Sequence, residues 1–472
     1  MLSAMQTTRL EHDFLGERAI PDEVYYGIQT LRALENFHIT GIPLKSEPLF
    51  VQALAYVKKA AAMANRDLGV LDSAMAECII NACDRVASGD LNDQFLTDMI
   101  QGGAGTSVNM NANEVIANVA LELLGKRKGE YEFCHPNNHV NCSQSTNDAY
   151  PTAFRIALSN KLVGYSKALG ELADAFAAKG EEFRNVLKMG RTQLQDAVPM
   201  SMGDEFKAFA TNLREELLRI EDSRRLISEI NMGATAIGTG VNAPHGYADL
   251  VTKYLREVTG LDLSLAGDLI EATYDTGAYV QLSGVLKRTA VKLSKICNDL
   301  RLLSSGPRTG LFEINLPPLQ PGSSIMPGKV NPVVPEVVNQ TAFYVIGADL
   351  TVTMAAEAGQ LQLNVMEPVI SFALFTSISY LTNACHTLRE KCVVGITANA
   401  QHAENMVRNS IGIVTQLNPV LGYEASAEIA KEALKTGKTV HDIAVTDRQL
   451  LSQEKWDEIF TFENLIRPDF IQ

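Results

Sequence analysis

Apolar residues along most of the chain recur with the period of long α-helices. Charged residues fill the positions between them in the segment 206–230, where the apolar residues are Phe206, Phe209, Leu213, Leu217, Ile220 and Ile227. The segments 151–178, 282–303 and 334–358 also have helical character. Helices of this length with an apolar face are typical of bundles. Sustained alternation of apolar and polar residues, which would predict strands, is hard to find. The pattern therefore predicts an all-α protein.

Changes in composition separate the predicted bundle from its flanks. The segment 126–144 is polar and rich in turn residues, and after 393–406 the predicted helices become shorter and more polar. We therefore predict an N-terminal domain over 1–145, a central long-helix bundle over 146–395 and a small helical C-terminal domain over 396–472. The bundle helices carry little charge on more than one face, which suggests burial on several sides, as when subunits pool their helices.

Composition and charge exclude several classes of partner. Of the 472 residues, 46% are hydrophobic, which is enough for a large core, and the formal net charge is −14. This charge argues against a nucleic acid or an anionic membrane surface as partner, because both favour a basic face. No uninterrupted apolar stretch approaches the length that spans a bilayer. The seven cysteines lack the spacing of a metal site, so we expect free thiols and a cytoplasmic protein.

Four segments rich in glycine, hydroxyl and amide residues interrupt the helical pattern. They are 102–115, 141–152, 190–200 and 322–332. Ser, Thr and Asn favour turns and helix starts, so any one segment taken alone is equally well explained as a cap. Four of them in one helical protein favour a common site. Hydroxyls, amides and backbone N–H groups at helix N-termini are the donors that a dicarboxylate needs.

The segment 322–332 reads GSSIMPGKVNP and suits neither a helix nor a strand. Lys329 offers a cation for one carboxylate and Asn331 a further donor, while Ser323 or Ser324 offers a nucleophile or a base. A catalytic triad is poorly supported, because no Gly-x-Ser-x-Gly elbow surrounds the serines. A phosphate-binding loop is not supported either, because the Gly-Lys-Ser/Thr ending is missing.

This loop closely resembles the signature of the fumarase/aspartase superfamily, G-S-S-x-M-P-x-K-x-N. The matching residues are Gly322, Ser323, Ser324, Met326, Pro327, Lys329 and Asn331. The resemblance extends through GTSVNMNANEV, HPNNHVNCSQSTND and GRTQLQDAVPM over essentially the whole chain. Within the superfamily the chain is most similar to the aspartases, because Gln193 stands where fumarases carry His and Met366-Glu367 where they carry Phe-Lys. Cys142 and Asn138 depart from the usual pattern, in which relatives carry Lys and Asp.

The resemblance implies both a fold and an activity. The fold is all-α, with a long-helix bundle that forms a twenty-helix core in a homotetramer and with smaller N- and C-terminal domains. Three subunits contribute to each active site. The reaction is the reversible anti elimination of ammonia from L-aspartate to give fumarate through an aci-carboxylate intermediate, without an organic cofactor. Class II fumarate hydratase is the alternative enzyme, and a non-catalytic structural protein is the alternative of another class. Activation by a divalent metal ion cannot be read from the sequence.

The resemblance also implies roles for individual residues. Ser323 is implied as the general base, with its oxyanion stabilised by backbone N–H groups of the loop and by Lys329. The substrate-binding residues are Thr106, Ser145, Thr146 and Ser324 for the β-carboxylate, Thr192, Lys329 and Asn331 for the α-carboxylate, and Asn147 and Gln193 for the amino group. The apolar residues of the loop are expected to limit its conformations.

Two histidines in the segment HPNNHVN are open to two interpretations. In relatives this segment lies near the catalytic region or forms a secondary carboxylate site, so His135 and His139 are candidates for binding. A structural turn explains each of them equally well.

Overall fold

The computed structural model describes residues 7–466 and confirms the all-α prediction, with strands limited to four two-stranded sheets among those residues. The N-terminal part consists of a β-hairpin followed by four helices joined by turns. These elements are β1 (Thr8–Asp13), β2 (Gly16–Pro21), α1 (Ile28–Asn36), α2 (Pro48–Asp67), α3 (Ser73–Ala87) and α4 (Thr106–Leu123).

Five helices of 25 to 37 residues dominate the central part. Short strands and helices connect them. In chain order the elements are α5 (Thr146–Glu182), β3 (Leu187–Thr192), β4 (Gln195–Ser201), α6 (Met202–Ile227), β5 (Glu229–Ile230), α7 (Tyr247–Thr259), β6 (Ser264–Leu265), α8 (Glu271–Tyr274), α9 (Gly277–Leu303), β7 (Ile314–Asn315), α10 (Val333–Glu357) and α11 (Glu367–Lys391).

The four segments predicted as helices from their apolar period lie in α5, α6, α9 and α10, which confirms that prediction. Helix α6 ends three residues before the predicted segment does. The difference arises because Glu229 and Ile230 pair with Ser264 and Leu265 as a short parallel ladder.

The C-terminal part contains shorter helices, as predicted. They are α12 (Ala400–Asn409), α13 (Asn418–Leu421), α14 (Tyr423–Thr436), α15 (Gln453–Ile459) and α16 (Phe462–Ile466), preceded by β8 (Thr397–Ala398). Trp456 is buried in a local apolar cluster that includes Ile429 and Ile443. Its ring stacks on that of Phe460 with the centroids 3.9 Å apart. This tryptophan is therefore a packing residue of the cluster.

Packing groups the described residues into two compact units. The first comprises the described residues of Met1–Ser166, Leu218–Arg288 and Tyr344–Tyr380, and the second those of Lys167–Leu217, Thr289–Phe343 and Leu381–Gln472. Every boundary between the units falls inside one of the five long helices. The division into three domains made from composition stays a prediction.

An aromatic cluster forms the core of the first unit and fixes the start of α5. The ring of Tyr150 lies edge-on to that of Phe50, with centroids 5.3 Å apart. Phe154, one turn further along α5, packs on Tyr279 of α9 at 4.6 Å and on Phe375 of α11 at 5.3 Å. Large aromatic side chains of this kind bury extensive apolar area. The first turns of α5 are therefore held from several sides.

All seven cysteines are free thiols, five of them buried, as predicted. Within residues 7–466 one segment, Glu367–Gly395, is long and apolar enough to cross a membrane. Of its most apolar window, 61% is buried inside the protein. A core helix has the same composition, so length and hydropathy alone do not indicate a membrane span.

Candidate active site

Thr106 is the first residue of α4, at an exposed helix N-terminus, as the pattern predicted. The residue before it, Gly105, has φ +93°, a conformation that favours glycine. A Cβ at Gly105 would lie 2.2 Å from the ring of Tyr150, so only glycine lets α4 start this close to α5. The Thr106 hydroxyl donates to the Gly103 carbonyl at 2.7 Å. These contacts fix the position of Thr106 at the solvent-exposed start of α4.

Residues 145–147 form the start of α5. The Ser145 N–H donates to Asp148 Oδ1 at 2.9 Å, and Asn147 N donates to Ser145 Oγ at 3.2 Å, so the first turn caps itself. Asp148 is fully buried and also accepts from the backbone N–H groups of Gly233 and Thr235, both at 3.0 Å. Burial raises the pKa of Asp148 to about 6, although the backbone donors oppose this shift.

Lys58, in the middle of α2, is fully buried next to these two helix starts. Its Nζ donates to Asn109 Oδ1 at 2.6 Å and to Asn141 Oδ1 and Gln144 Oε1 at 2.9 Å each. Asn109 Nδ2 in turn donates to Thr146 Oγ1 at 3.2 Å. We call these four side chains, Lys58, Asn109, Asn141 and Gln144, the amide network. It joins the helix of Thr106 to the start of α5.

The charge of Lys58 depends on the amide network. Burial lowers the pKa of Lys58 to about 7, and the charge of Asp148 acts in the opposite direction. The three amide oxygens favour the ammonium form, because a neutral amine has only two N–H groups for three acceptors. The sequence analysis missed this residue. The signal was a lysine inside the alanine-rich run of α2, on a face that is otherwise mostly apolar.

Thr192 and Gln193 lie on a β-hairpin that directly precedes a helix, and the sequence did not predict this hairpin. Thr192 of β3 pairs with Gln195 of β4, and the two turn residues, Gln193 and Leu194, have φ of 53° and 64°. Two consecutive residues with positive φ form a tight turn, and the twist of such a turn matches the twist of the two strands that it joins. The segment therefore folds back on itself, and α6 begins only at Met202. Both predicted binding residues are exposed at or beside the turn.

A buried ionic cluster fastens this hairpin. Glu313 is fully buried and its Oε1 lies 2.6 Å from Arg191 Nη1, next to the turn. Its Oε2 lies 3.1 Å from Nζ of Lys188, which also contacts Glu205 at 2.6 Å. Glu313 was missed from sequence because it lies far along the chain from the hairpin. Buried charges need such partners, so the cluster holds β3, through Lys188 and Arg191, in one arrangement with Glu313.

The loop 322–332 is irregular, as predicted, and closes on itself. Gly322 N donates to the Lys329 carbonyl at 2.7 Å, and Asn331 Nδ2 donates to the Gly322 carbonyl at 2.8 Å. Ser323 Oγ accepts from the backbone N–H groups of Ile325 at 3.2 Å and Met326 at 3.1 Å. Backbone donors therefore do face the predicted base, although they come from two apolar residues and not from the glycines.

Two other expectations about this loop stay predictions. Ile325, Met326 and Val330 are 82%, 46% and 50% exposed, so they are not buried among the described residues. The side chain of Lys329 forms no hydrogen bond or ion pair with any described residue, and so it does not support Ser323 in this conformation. Both results follow from the outward course of the loop, in which residues 324–330 are all exposed.

The segment 136–140 behaves as a structural turn. His135 Nδ1 accepts from the N–H groups of Asn137 and Asn138 at 3.0 and 3.4 Å, and His139 Nδ1 accepts from His135 N at 2.8 Å. Burial lowers the pKa of both histidines, which favours neutral rings. Cys142 is half-buried and burial raises the pKa of its thiol, which favours a neutral side chain at this position.

The ten predicted site residues divide between the two units. Thr106 and residues 145–147 lie in the first unit, where Asn109 links the two helix starts. The other six lie in the second unit. Within residues 7–466, no hydrogen bond joins the turn of the hairpin to the loop 322–332. The roles assigned to these ten residues stay predictions.

Comparisons with known proteins agree over nearly the whole chain. A family model described as lyase matches residues 16–347, and one described as fumarase C C-terminus matches residues 413–467. Aspartate ammonia-lyase from Helicobacter pylori is 59% identical over 460 residues, which cover 98% of each chain.

Two solved structures are similar to the whole chain. One is a fumarate lyase:delta crystallin from Brucella melitensis bound to cobalt, with 54% identity, a TM-score of 0.94 and coverage of 97% of this chain and 99% of the other. The other is class II fumarase from Schistosoma mansoni, with 36% identity, a TM-score of 0.93 and coverage of 98% of this chain and 100% of the other.

Proposed function

We propose that this chain, which belongs to the fumarase/aspartase superfamily of lyases, is an aspartate ammonia-lyase that converts L-aspartate reversibly into fumarate and ammonia. The observation that carries this proposal is the 59% identity to a curated aspartate ammonia-lyase across 98% of both chains. The fumarase structure is only 36% identical over a similar length. Gln193, at the turn of the hairpin, also favours an aspartate ammonia-lyase over a fumarase.

The chemistry requires tight binding of a doubly charged carboxylate. Removal of the C3 proton gives an aci-carboxylate dianion, and preorganised neutral donors stabilise such a charge. We assign the β-carboxylate to Thr106, Ser145, Thr146 and Ser324. The first three lie at the starts of α4 and α5, where the positive end of the helix dipole favours an anion. Neutral donors suit a chain whose formal net charge is −14.

Asn147 and Gln193 are assigned to the amino group. Asn147 Nδ2 donates to the Ala236 carbonyl at 2.8 Å, so its orientation is fixed and Oδ1 is left as the acceptor. An acceptor is what an ammonium leaving group needs, because that group carries only donors. Thr192, Lys329 and Asn331 are assigned to the α-carboxylate.

Ser323 is assigned as the general base. The two backbone N–H groups that donate to its Oγ would stabilise the oxyanion form and lower the pKa of the hydroxyl. Lys329 has no partner among the described residues, and the apolar residues of the loop are exposed. Closure of the loop on bound substrate would bring this cation to the site and exclude water.

We further propose a cytoplasmic enzyme that uses no organic cofactor and has no nucleic-acid or membrane partner. Elimination moves one proton and releases ammonia, so it requires no electron carrier or group carrier. Seven free thiols are in keeping with a reducing compartment.

A homotetramer with active sites shared among three subunits completes the proposal. Helix α10 supports association, because it exposes large apolar residues along one side. They are Phe343, Leu350 and Met354, which follow one another at steps of seven and four residues and are 61 to 63% exposed. Contiguous exposed apolar surface of this kind marks a protein interface.

Shared sites can be tested by complementation. Ser323→Ala and Thr106→Ala tetramers should each be inactive or nearly so, but mixing, dissociating and reassembling them should restore some wild-type sites and partial activity. If hybrid tetramers form and stay as inactive as their parents, the sites are not shared in this way.

The activity itself is tested by following the absorbance of the unsaturated product, which is fumarate from L-aspartate or malate and methylfumarate from 3-methylaspartate, with the three substrates supplied in turn. We expect fumarate from aspartate and little or none from malate. Efficient turnover of malate alone would identify a fumarate hydratase, and a folded tetramer without either activity would identify a structural protein.

A further inference from the structure

We propose that Lys58 is a positioning residue whose ammonium orients Asn109 so that the Thr146 hydroxyl is left to donate a hydrogen bond to the substrate. The inference rests on the proposed function, in which Thr146 binds the β-carboxylate. Lys58 itself does not contact the substrate. It acts through two side chains, Asn109 and then Thr146.

The ammonium of Lys58 has one acceptor for each of its three N–H groups. The three acceptors are amide oxygens of Asn109, Asn141 and Gln144 at 2.6 to 2.9 Å. A carboxylate would satisfy the cation more simply, but none lies within hydrogen-bonding distance of Lys58 Nζ in the described structure. The site therefore uses a buried charge to hold neutral side chains, and the amide network is the result.

This arrangement determines which way each amide of the network faces. An NH₂ group turned toward an ammonium would place donor against donor, so Asn109 must present Oδ1 to Lys58 and Nδ2 to the other side. Nδ2 of Asn109 then donates to Thr146 Oγ1 at 3.2 Å and to Asn141 Oδ1 at 3.1 Å. Nε2 of Gln144 donates to the carbonyls of Val140 and Cys142 at 3.0 and 3.1 Å.

The consequence for Thr146 is a fixed direction of hydrogen bonding. A threonine hydroxyl is both donor and acceptor, and here Oγ1 accepts from Asn109. Its proton is consequently free to point away from the network. Thr146 is only 9% exposed and is the first residue of α5, so a donor at this position faces the same side as the N–H groups of the helix start. Such a donor, held before substrate arrives, stabilises the developing dianion without reorganisation.

The positioning role requires a positive charge on Lys58, and the ammonium form supplies it. The titratable groups that act on it are Asp148 of α5 and Cys83 of α3, and Asp148 is held separately by three backbone N–H groups. Burial strengthens electrostatic interactions, so the ammonium form of Lys58 behind Thr146 favours added negative charge in front of it.

The most discriminating test reverses the direction of the hydrogen bond between Asn109 and Thr146. Asn109→Ala removes the donor to Thr146, whereas Asn109→Asp keeps an acceptor for Lys58 and turns the donor into a second acceptor, which would draw the Thr146 proton inward. We expect kcat to fall about 10-fold in the alanine variant and about 10²- to 10³-fold in the aspartate variant, with KM changing less than kcat. A merely structural role predicts the opposite order, because the aspartate variant is close to isosteric and retains an ion pair with Lys58.

Lys58→Met removes the charge while keeping the length of the side chain, and Lys59→Met is its matched control. Lys59 is the next residue of α2 and pairs with Asp84 at 2.5 Å on the partly exposed side. We expect about a 10²-fold loss of kcat for Lys58→Met and unchanged kinetics for Lys59→Met. Circular dichroism and thermal unfolding identify the folded variants. If Lys58→Met does not fold, the comparison of Asn109→Ala with Asn109→Asp tests the proposal by itself.

The proposal is overturned if Asn109→Asp is as active as Asn109→Ala, or if folded Lys58→Met is as active as the control. Failure of the proposed function looks different. In that case the wild-type protein itself forms no fumarate from aspartate and binds no fumarate in calorimetry.

Discussion

The start of α5 and the loop 322–332 are both assigned to the same reaction, yet they are built in opposite ways. Thr146 is 9% exposed and is held by an amide network that involves α2, α4 and the preceding turn. Ser323 Oγ accepts hydrogen bonds only from backbone N–H groups of its own loop in the described structure, and Ile325 beside it is 82% exposed. One region has its donors fixed by a buried core, and the other has freedom to rearrange.

The difference follows from what each region has to do. Donors that stabilise charge are most effective when they are already in place, because reorganisation then costs nothing at the moment of reaction. A base that removes a proton in a site sealed from water needs a segment that opens for entry and release. Segments with few buried contacts have low local stability and supply such motion. The hairpin of Thr192 and Gln193 is intermediate, since its turn is exposed but Glu313 anchors β3 through Lys188 and Arg191.

The largest effect is expected from Ser323→Ala. The variant should lose turnover by about 10²- to 10⁴-fold, because it removes only the proton acceptor. Thermal unfolding and fumarate binding should be unchanged, since the side chain is not part of a core. Ser304→Ala, at a helix end of the same unit, is the control. Near-normal kcat in the Ser323 variant would mean that another group is the base.

Glu313→Gln should instead reduce stability. It removes the charge that faces both Lys188 and Arg191, and breaking a buried ion pair costs about 3 kcal/mol or more. Urea denaturation should show a loss of about 3 kcal/mol, with Glu181→Gln, an exposed partner of Arg184, within about 0.5 kcal/mol of wild type. Equal stability of both variants would show that the hairpin needs no ionic anchor.

Lys329→Ala should leave stability unchanged and raise KM for aspartate by roughly 10- to 100-fold. One substrate carboxylate loses its charge-assisted partner, while the free protein loses no described contact. Steady-state kinetics measure the first effect and thermal unfolding the second, and Lys435→Ala on an exposed helix is the control. An unchanged KM would mean that Lys329 points away from the substrate even when the loop closes.

Gln193→His should have the smallest effect. The histidine introduces a titratable group where a neutral amide faces the leaving group, and we expect about 10-fold lower deamination with little gain in malate dehydration. Gln195→His, opposite Thr192 on the same hairpin, is the control and should change neither activity. Efficient hydratase activity in the Gln193 variant would show that this one position determines the choice between ammonia and water.

The same contrast explains what sequence could predict. Long helices such as α6 and α9 have a strong apolar period that depends only on local spacing, and they were found. The hairpin of β3 and β4 was missed, because Gln193 and Leu194 are left-handed without being glycine. The exposure of the apolar residues Ile325, Met326 and Val330 in the loop 322–332 was not predicted either.

Two further residues show the limit for the site. Ser323 and the other predicted ligands were identified through motifs, which are contiguous in sequence. Lys58 and Glu313 belong to no motif, because each acts through partners far along the chain, 51 residues from Lys58 to Asn109 and 122 from Arg191 to Glu313. Such long-range partners become visible only in the folded chain.

The placement of the unit boundaries inside the long helices has a consequence for synthesis on the ribosome. The first unit needs Tyr344–Tyr380 as well as the N-terminal residues, so it is incomplete until residue 380 of 472 has left the exit tunnel. Until Phe375 has emerged, Phe154 and the rest of its aromatic cluster lack this packing partner. A nascent chain in this state has a large apolar surface without its partner, and such chains depend on chaperones and on the speed of translation.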